Sequence, residues 1–320
     1  MSEAAQTVSE AEAGLRLDRW FKRHYPTLTH ARLEKLLRTG QIRIDGQRVK
    51  SGERLEAGQI IRVPPMTETA SATSGPPRLP PEDVAFIRGL VIAEEPGFFV
   101  LNKPAGLAVQ GGTKTRRHID GLLPGLAPKG ERPRLVHRLD RDTSGVLLIA
   151  RGASEAAELG KLFRLHKVTK IYWALTHGVP SPRAGTIDLP LAKTGPRGEE
   201  RMTVEADKDE GQRAITRYEV VETVGAKFAW VALEPVTGRT HQLRAHLAAI
   251  GHPIAGDNKY GTEPAPDGIA PGLHLHARRI TVPRPKRAFV AEAPLPPHMK
   301  ATWRFFGFEE GSAKGTLAGR

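Results

Sequence analysis

Apolar positions along this chain recur with two different periods, and each switch of period marks an element. Leu17, Trp20 and Phe21 stand at i, i+3 and i+4 and predict a helix that Pro26 ends. Leu33, Leu36 and Leu37 form a second helical stripe, with Thr29 placed to cap it and Gly40 to stop it. The run "QIRIDGQRV" then alternates about Asp45-Gly46, the strongest short hairpin signal. Residues 14–64 therefore read as helix, helix, hairpin. At residues 65–82, "PMTETASATSGPPRLPPE", there is little to bury, and the segment reads as a linker.

The remainder is a body over 83–310 followed by a tail, 311–320, expected to be flexible. "LVIAEEPGFFVLNKPAGLAV" predicts two strands around a turn at Pro96-Gly97. "GVLLIAR" reads as a buried strand, "SEAAELGKLFRLH" as a helix capped by Ser154, and "KIYWALTHG" as a strand. "ITRYEVVE" and "FAWVALEP" read as paired strands. "TGRTHQLRAHLAAIG" turns sharply into a helix ending at Gly251, and "LHLHARRITV" is a further strand. Long strands with few helices between them predict an α+β domain on a mostly antiparallel or mixed sheet.

Composition narrows the partner. At 39% hydrophobic, 320 residues can build a core, and no apolar run nears the ~20 residues that cross a bilayer. The N-terminus is acidic and polar, unlike a signal peptide, and cysteine is absent; both lead to the expectation of a cytoplasmic protein. The net charge of +13 points to a polyanion such as nucleic acid. Residues 14–63 hold 12 Lys/Arg against 5 Asp/Glu, a net of +7, so over half of the excess sits in 50 residues.

The densest candidate chemistry is "HRLDRDTSG", residues 137–145. Asp142-Thr-Ser-Gly is a good turn-former, whereas Asp140 projects opposite to Leu139 in extended chain. On the residues alone Asp140 is equally a catalytic carboxylate or part of a salt-bridged turn. His241 and His246 are five apart rather than the four of a helical zinc pair, so metal is disfavoured. Ser144 lacks the small-residue elbow of a hydrolase nucleophile. Lys170 and Tyr172 share one strand face, which by itself reads as a surface lysine beside a core tyrosine.

Two resemblances change this balance. "LRLDRWF" with "GQIRIDGQRVK" resembles the S4 RNA-binding domain, which implies RNA contacts from Arg32, Lys35, Arg38 and Arg43. "LNKPAG", "HRLDRDTSGVLLIA", "KIYWALTHG" and "GRTHQLRAHLAAIGHPIAGDNKYG", in that order, resemble the RluA family of bacterial large-subunit ribosomal RNA pseudouridine synthases; "HRLDRDTSG" and "GEERMTV" lean towards its C-type members. The resemblance implies isomerisation of uridines in 23S ribosomal RNA by base flipping, with no cofactor or metal. It places the catalytic carboxylate on Asp140, a tyrosine lying on the uracil and helping to remove the C5 proton on Tyr172, and a cation pairing with Asp140 on Arg244. Arg138 matches the arginine that fills the space of the flipped uridine, and Leu243 would pack on the base. His137 and Gln110 are carried as substrate contacts, His137 as structural or RNA-facing rather than an acid or base. Gln110, followed by Gly111 and Gly112, stands where relatives often have histidine. The expected partner is large-subunit RNA or an assembly intermediate, with no membrane and a monomeric chain. The competing reading is a non-catalytic RNA-binding ribosome-assembly factor on the same fold.

Overall fold

The computed structural model describes all residues except 1–3, 26–27, 66–78, 112–114, 116, 128–129, 196–200, 205–210, 262–267, 314–316 and 318–320. The chain divides into two compact units, Met1–Arg78 and Leu79–Arg320.

The first unit holds β1 (Ala4–Thr7), α1 (Leu17–His24), α2 (His30–Arg38), β2 (Arg43–Ile44) and β3 (Ile60–Val63). Leu17, Trp20 and Phe21 of α1 and Leu33 and Leu37 of α2 are buried with Ile44, Leu55, Ile61 and Val63 in one core. Thr29 does cap α2, its hydroxyl accepting from Arg32 N–H at 3.3 Å, and Gly40 leaves it at φ +72°. Two expectations need correction. Ile44 and Gln47 exchange both backbone hydrogen bonds around Asp45 (φ +48°) and Gly46 (φ +77°), a primed turn, but the chain then leaves the hairpin. β2 pairs instead with β3, whose Ile61 and Val63 are buried, whereas of residues 48–50 only Val49 reaches the core, and only partly. The unit also starts earlier than residue 14: β1 pairs along β3 from Ala4↔Val63 to Thr7↔Ile60. Most of the expected linker lies outside the described residues.

The second unit contains α3 (Pro81–Gly89), β4 (Val91–Glu94), β5 (Phe98–Lys103), α4 (Ile119–Leu122), β6 (Arg134–Leu135), β7 (Ser144–Ala150), α5 (Ala153–Arg164) and β8 (Thr169–His177). β9 (Ala184–Asp188), β10 (Leu191–Thr194), β11 (Arg201–Val204), β12 (Ile215–Val224), β13 (Phe228–Pro235), α6 (Gln242–Ala249), β14 (Leu275–Val282), β15 (Phe289–Glu292) and α7 (Pro297–Phe306) complete it. The fold is α+β. Its large sheet runs β4-β5-β7-β14-β8-β13-β12-β9, with β15 on β14 and β6 on β7, while β10 and β11 form a separate ribbon. Among the described strands the one parallel pairing is β7 with β14.

Side-chain alternation along β8 sorts the two faces. Ile171, Trp173 and Leu175 pack with Trp230 and with Met299 and Trp303 of α7. Tyr172 and Ala174 face the opposite side, where Leu243 and Leu247 of α6 cover the sheet. So Tyr172 and α6 share a face because β8 alternates. At the parallel pairing Gly145 has φ +111°, and a Cβ there would lie 2.2 Å from the Ala277 carbonyl oxygen. Only glycine lets β14 approach β7 immediately after "HRLDRDTS".

One further expectation fails. Helix α5 has Gly152, not Ser154, at its N-cap, and Ala153 N–H donates to Glu131 Oε1 at 2.7 Å. A carboxylate supplied by a neighbouring loop makes a stronger, charge-assisted cap than the local hydroxyl. Most of the expected tail, 311–320, lies outside the described residues; of those described, Ala313 is buried with Trp303 and Phe308, and Leu317 packs against the same cluster. Leu317 N–H donates to Glu219 at 2.6 Å.

Candidate active site

Asp140 lies in the extended loop that joins β6 to β7. Leu139 is buried in the core beneath the loop, so alternation leaves Asp140 half-exposed above it, with Arg138 and Arg141 exposed on either side. The loop is fixed from below by Lys103 at the end of β5. Lys103 is fully buried, and its Nζ donates to Pro104 O (2.8 Å), Leu107 O (2.9 Å) and Arg141 O (2.9 Å). Burial pushes its pKa down to about 7, opposed by the negative charges of Asp142 and Asp140. Three carbonyl acceptors match the three N–H donors of an ammonium. A second tie runs from Arg141 Nε to Gly106 O at 3.0 Å.

Four more groups gather close enough to feel the charge of Asp140: Tyr172, His241, Arg244 and Tyr260. Tyr172 spans the two core clusters on this face of the sheet. Burial first, and then Asp140, raise its pKa, so the phenol keeps its proton and is a poor base in the unliganded site. Leu243 is buried within the same face.

Arg244 departs from expectation. Its Nε donates to Asp257 Oδ2 at 2.7 Å and its Nη2 to Asp257 Oδ1 at 2.6 Å, a bidentate pair with both side chains nearly fully buried. Asp257 also accepts from Lys259 N–H (2.9 Å) and Tyr260 N–H (3.0 Å). Against the burial of each, these bonds raise the pKa of Arg244 and lower that of Asp257, so both stay charged. The direct partner of Arg244 is thus Asp257, and it acts on Asp140 through space. A loop folded back beneath α6 supplies the carboxylate that burial of the guanidinium demands.

The rest of α6 is locked to β12. Gln242 Nε2 donates to Ile215 O (2.9 Å) and Thr216 Oγ1 (3.0 Å), and His246 joins Thr216 Oγ1 (2.9 Å) to Leu189 O (3.0 Å). Burial keeps His246 below its ordinary pKa, so it is a structural neutral imidazole. His137 is likewise committed to the fold: its Nε2 accepts from Leu148 N–H at 2.9 Å, its ring stacks on Phe163, and burial pushes its pKa down to about 3. His137, expected as structural or RNA-facing, thus has its Nε2 engaged by the fold while the residue stays partly exposed. Gln110 is exposed in a bend, and Gly112 lies outside the described residues. In the first unit Arg32, Lys35 and Arg38 are exposed along α2, whereas Arg43 braces the turn, its guanidinium donating to Gly40 O (3.1 Å) and Gly46 O (2.9 Å). Sequence reasoning gave no role to Lys103, Asp257 or Tyr260. The available signal was a lysine closing a mostly apolar strand, and "GDNKYG" following the helix.

A half-exposed carboxylate whose charge is felt by a buried lysine, a buried arginine and a buried tyrosine is a candidate for chemistry as well as for a structural turn. A family model described as RNA pseudouridylate synthase matches residues 97–249, which include every group of the cleft except Asp257 and Tyr260. The chain is 34% identical over 301 residues to the ribosomal large subunit pseudouridine synthase C of Vibrio cholerae, covering 92% of this chain and 93% of that one. It is 36% identical over 277 residues to the protein of the same name from Rickettsia conorii, covering 83% and 88%. Among solved structures, human RNA pseudouridylate synthase domain containing 4 matches with a TM-score of 0.61 at 30% identity, over 71% of this chain and 97% of that one. The chain belongs to the RluA family of RNA pseudouridine synthases, and it is an isomerase.

Asp257→Ala leaves the Arg244 guanidinium buried without its carboxylate, and denaturant unfolding should show a loss of about 3–5 kcal/mol. A loss below about 1 kcal/mol would mean that the pair is not the anchor of α6.

Proposed function

We propose that this enzyme converts specific uridines of large-subunit (23S) ribosomal RNA to pseudouridine, with Asp140 acting at the ribose. The observation that carries this reading is the convergence of Lys103, Tyr172, His241, Arg244 and Tyr260 on the charge of Asp140. The net reaction is an isomerisation. The N1–C1′ bond breaks, the uracil turns, C5 bonds to C1′, the C5 hydrogen leaves as a proton, and N1 gains one. The bond to C1′ passes through oxocarbenium-like character, and a neighbouring carboxylate suits that charge, whether it attacks C1′ or removes an adjacent proton.

A stacked uridine cannot bring its sugar to Asp140, so the base must leave the helix. Arg138, exposed two residues before Asp140, is placed to enter the vacated space. Tyr172 and Leu243 belong to the apolar face on which the uracil would rest. Because the Tyr172 phenol is held protonated, its part here is packing, with any proton removal from C5 requiring a change of environment on binding. No cofactor is needed for this chemistry. The relatives' printed names point to large-subunit RNA as substrate.

The first unit, S4-like in its sequence, would add affinity. Exposed Arg32, Lys35 and Arg38 along α2 form a phosphate-contacting stripe, while Arg43 supports the adjacent turn.

Large-subunit RNA lacking pseudouridine, incubated with the protein and mapped for modified sites, should acquire pseudouridine at a small number of fixed positions. Conversion of transfer RNA but not of ribosomal RNA would overturn the substrate reading. Arg32→Gln, Lys35→Gln and Arg38→Gln combined should raise the RNA concentration for half-maximal binding and shallow the log–log salt slope by about 2–3, given ~0.7–0.9 per phosphate contact. An unchanged slope would assign the stripe to another partner.

A further inference from the structure

His241 is used by neither the helix it precedes nor the core beneath it. Its backbone is left-handed (φ +51°, ψ 18°), a conformation that costs a non-glycine residue of order 1 kcal/mol, yet its side chain makes no capping hydrogen bond. Gln242 braces the turn before the helix, its Oε1 accepting from Arg239 N–H at 3.0 Å. The His241 carbonyl accepts Ala245 N–H in the first turn of α6, and the left-handed backbone sets the direction in which the imidazole leaves the chain.

The ring is oriented from one side only. His241 Nδ1 lies 3.0 Å from Tyr260 Oη, and the two rings meet edge to face. Tyr260 Oη accepts the Met202 N–H at 2.9 Å, and a backbone amide can only donate. The phenolic hydrogen is then available to Nδ1, which leaves the single hydrogen of a neutral imidazole on Nε2. Among the described residues that nitrogen has no hydrogen-bond partner. Burial favours the neutral ring, as do the Arg244 and Lys259 cations, against the pull of Asp140 and Asp257. A half-buried, neutral N–H donor near Asp140 is less suited to a phosphate than a cation is. It suits an uncharged acceptor, and uracil presents two, O2 and O4.

Resting on the reading of this site as one for a uridine, we propose that His241 is a base-recognition residue whose Nε2–H donates to a carbonyl oxygen of the target uracil, with Tyr260 fixing its tautomer. The hydrogen bond would hold the base while its glycosidic bond is open, so its loss falls on turnover more than on RNA affinity.

The test compares wild type, His241→Gln and His241→Phe on RNA carrying uridine, 2-thiouridine or 4-thiouridine at the target position, sulfur being the weaker acceptor. Wild type should convert one of the two thio substrates about 10-fold more slowly than uridine. His241→Phe should lose a similar factor in kcat on uridine with KM little changed, and should show no further penalty with that thio substrate. His241→Gln, which keeps an N–H donor, should regain part of the turnover and part of the discrimination. If thermal melting shows that His241→Phe does not fold, the His241→Gln comparison carries the test. Wild-type turnover by His241→Phe, or thio penalties identical in every variant, would overturn the proposal while leaving the uridine reading intact. A wild type that converts no uridine in any RNA would remove that reading first, and this proposal with it.

Discussion

The cleft depends on one buried ammonium. Lys103 ends a mostly apolar strand, and its three hydrogens bind carbonyls on two separate loops. A buried charge is tolerated only when its donors are satisfied, so the geometry of Pro104, Leu107 and Arg141 is set by the lysine. Arg141 immediately follows Asp140, and the loop position is thereby transferred to the carboxylate. The arrangement is reciprocal: Asp140 and Asp142 favour the charged lysine, and the charged lysine holds the loop that presents them.

The second constraint works from the opposite wall. Burying Arg244 under α6 demands a carboxylate, and Asp257 supplies it while accepting two backbone amides of its own loop. That turn carries Tyr260, whose hydroxyl reaches both Met202 on β11 and His241 before α6. One ion pair thus organises the helix, the returning loop and the orientation of a cleft imidazole. Gly145 closes the third side by letting β14 lie against β7 where the Asp140 loop ends.

Much of this was legible in the sequence because the informative signals were local. Helical stripes at Leu17–Phe21 and Leu33–Leu37, the alternation of β8, and the offset of Leu139 from Asp140 all follow from side-chain period. Long-range pairings were not legible. Nothing near Arg244 distinguishes Asp257, 13 residues on, from Asp140 as its partner, since the choice depends on how a loop folds back. The cap of α5 came from Glu131, 22 residues before it, and outcompeted Ser154. β2 chose β3 over its own hairpin arm because β3 had the apolar face. The parallel contact of β7 with β14 joins segments separated by 132 positions, visible beforehand only as a glycine after a serine.

The central claim is that Asp140 does the chemistry and the rest of the cleft holds it. Single-turnover conversion of large-subunit RNA by Asp140→Asn, with RNA affinity and thermal melting measured on the same preparation, tests it most directly. The amide keeps the shape of the side chain and removes its charge, so binding and melting should stay near those of the wild type while pseudouridine formation falls below detection. Substantial conversion by the asparagine variant would contradict the account and move the reaction to another group of the cleft.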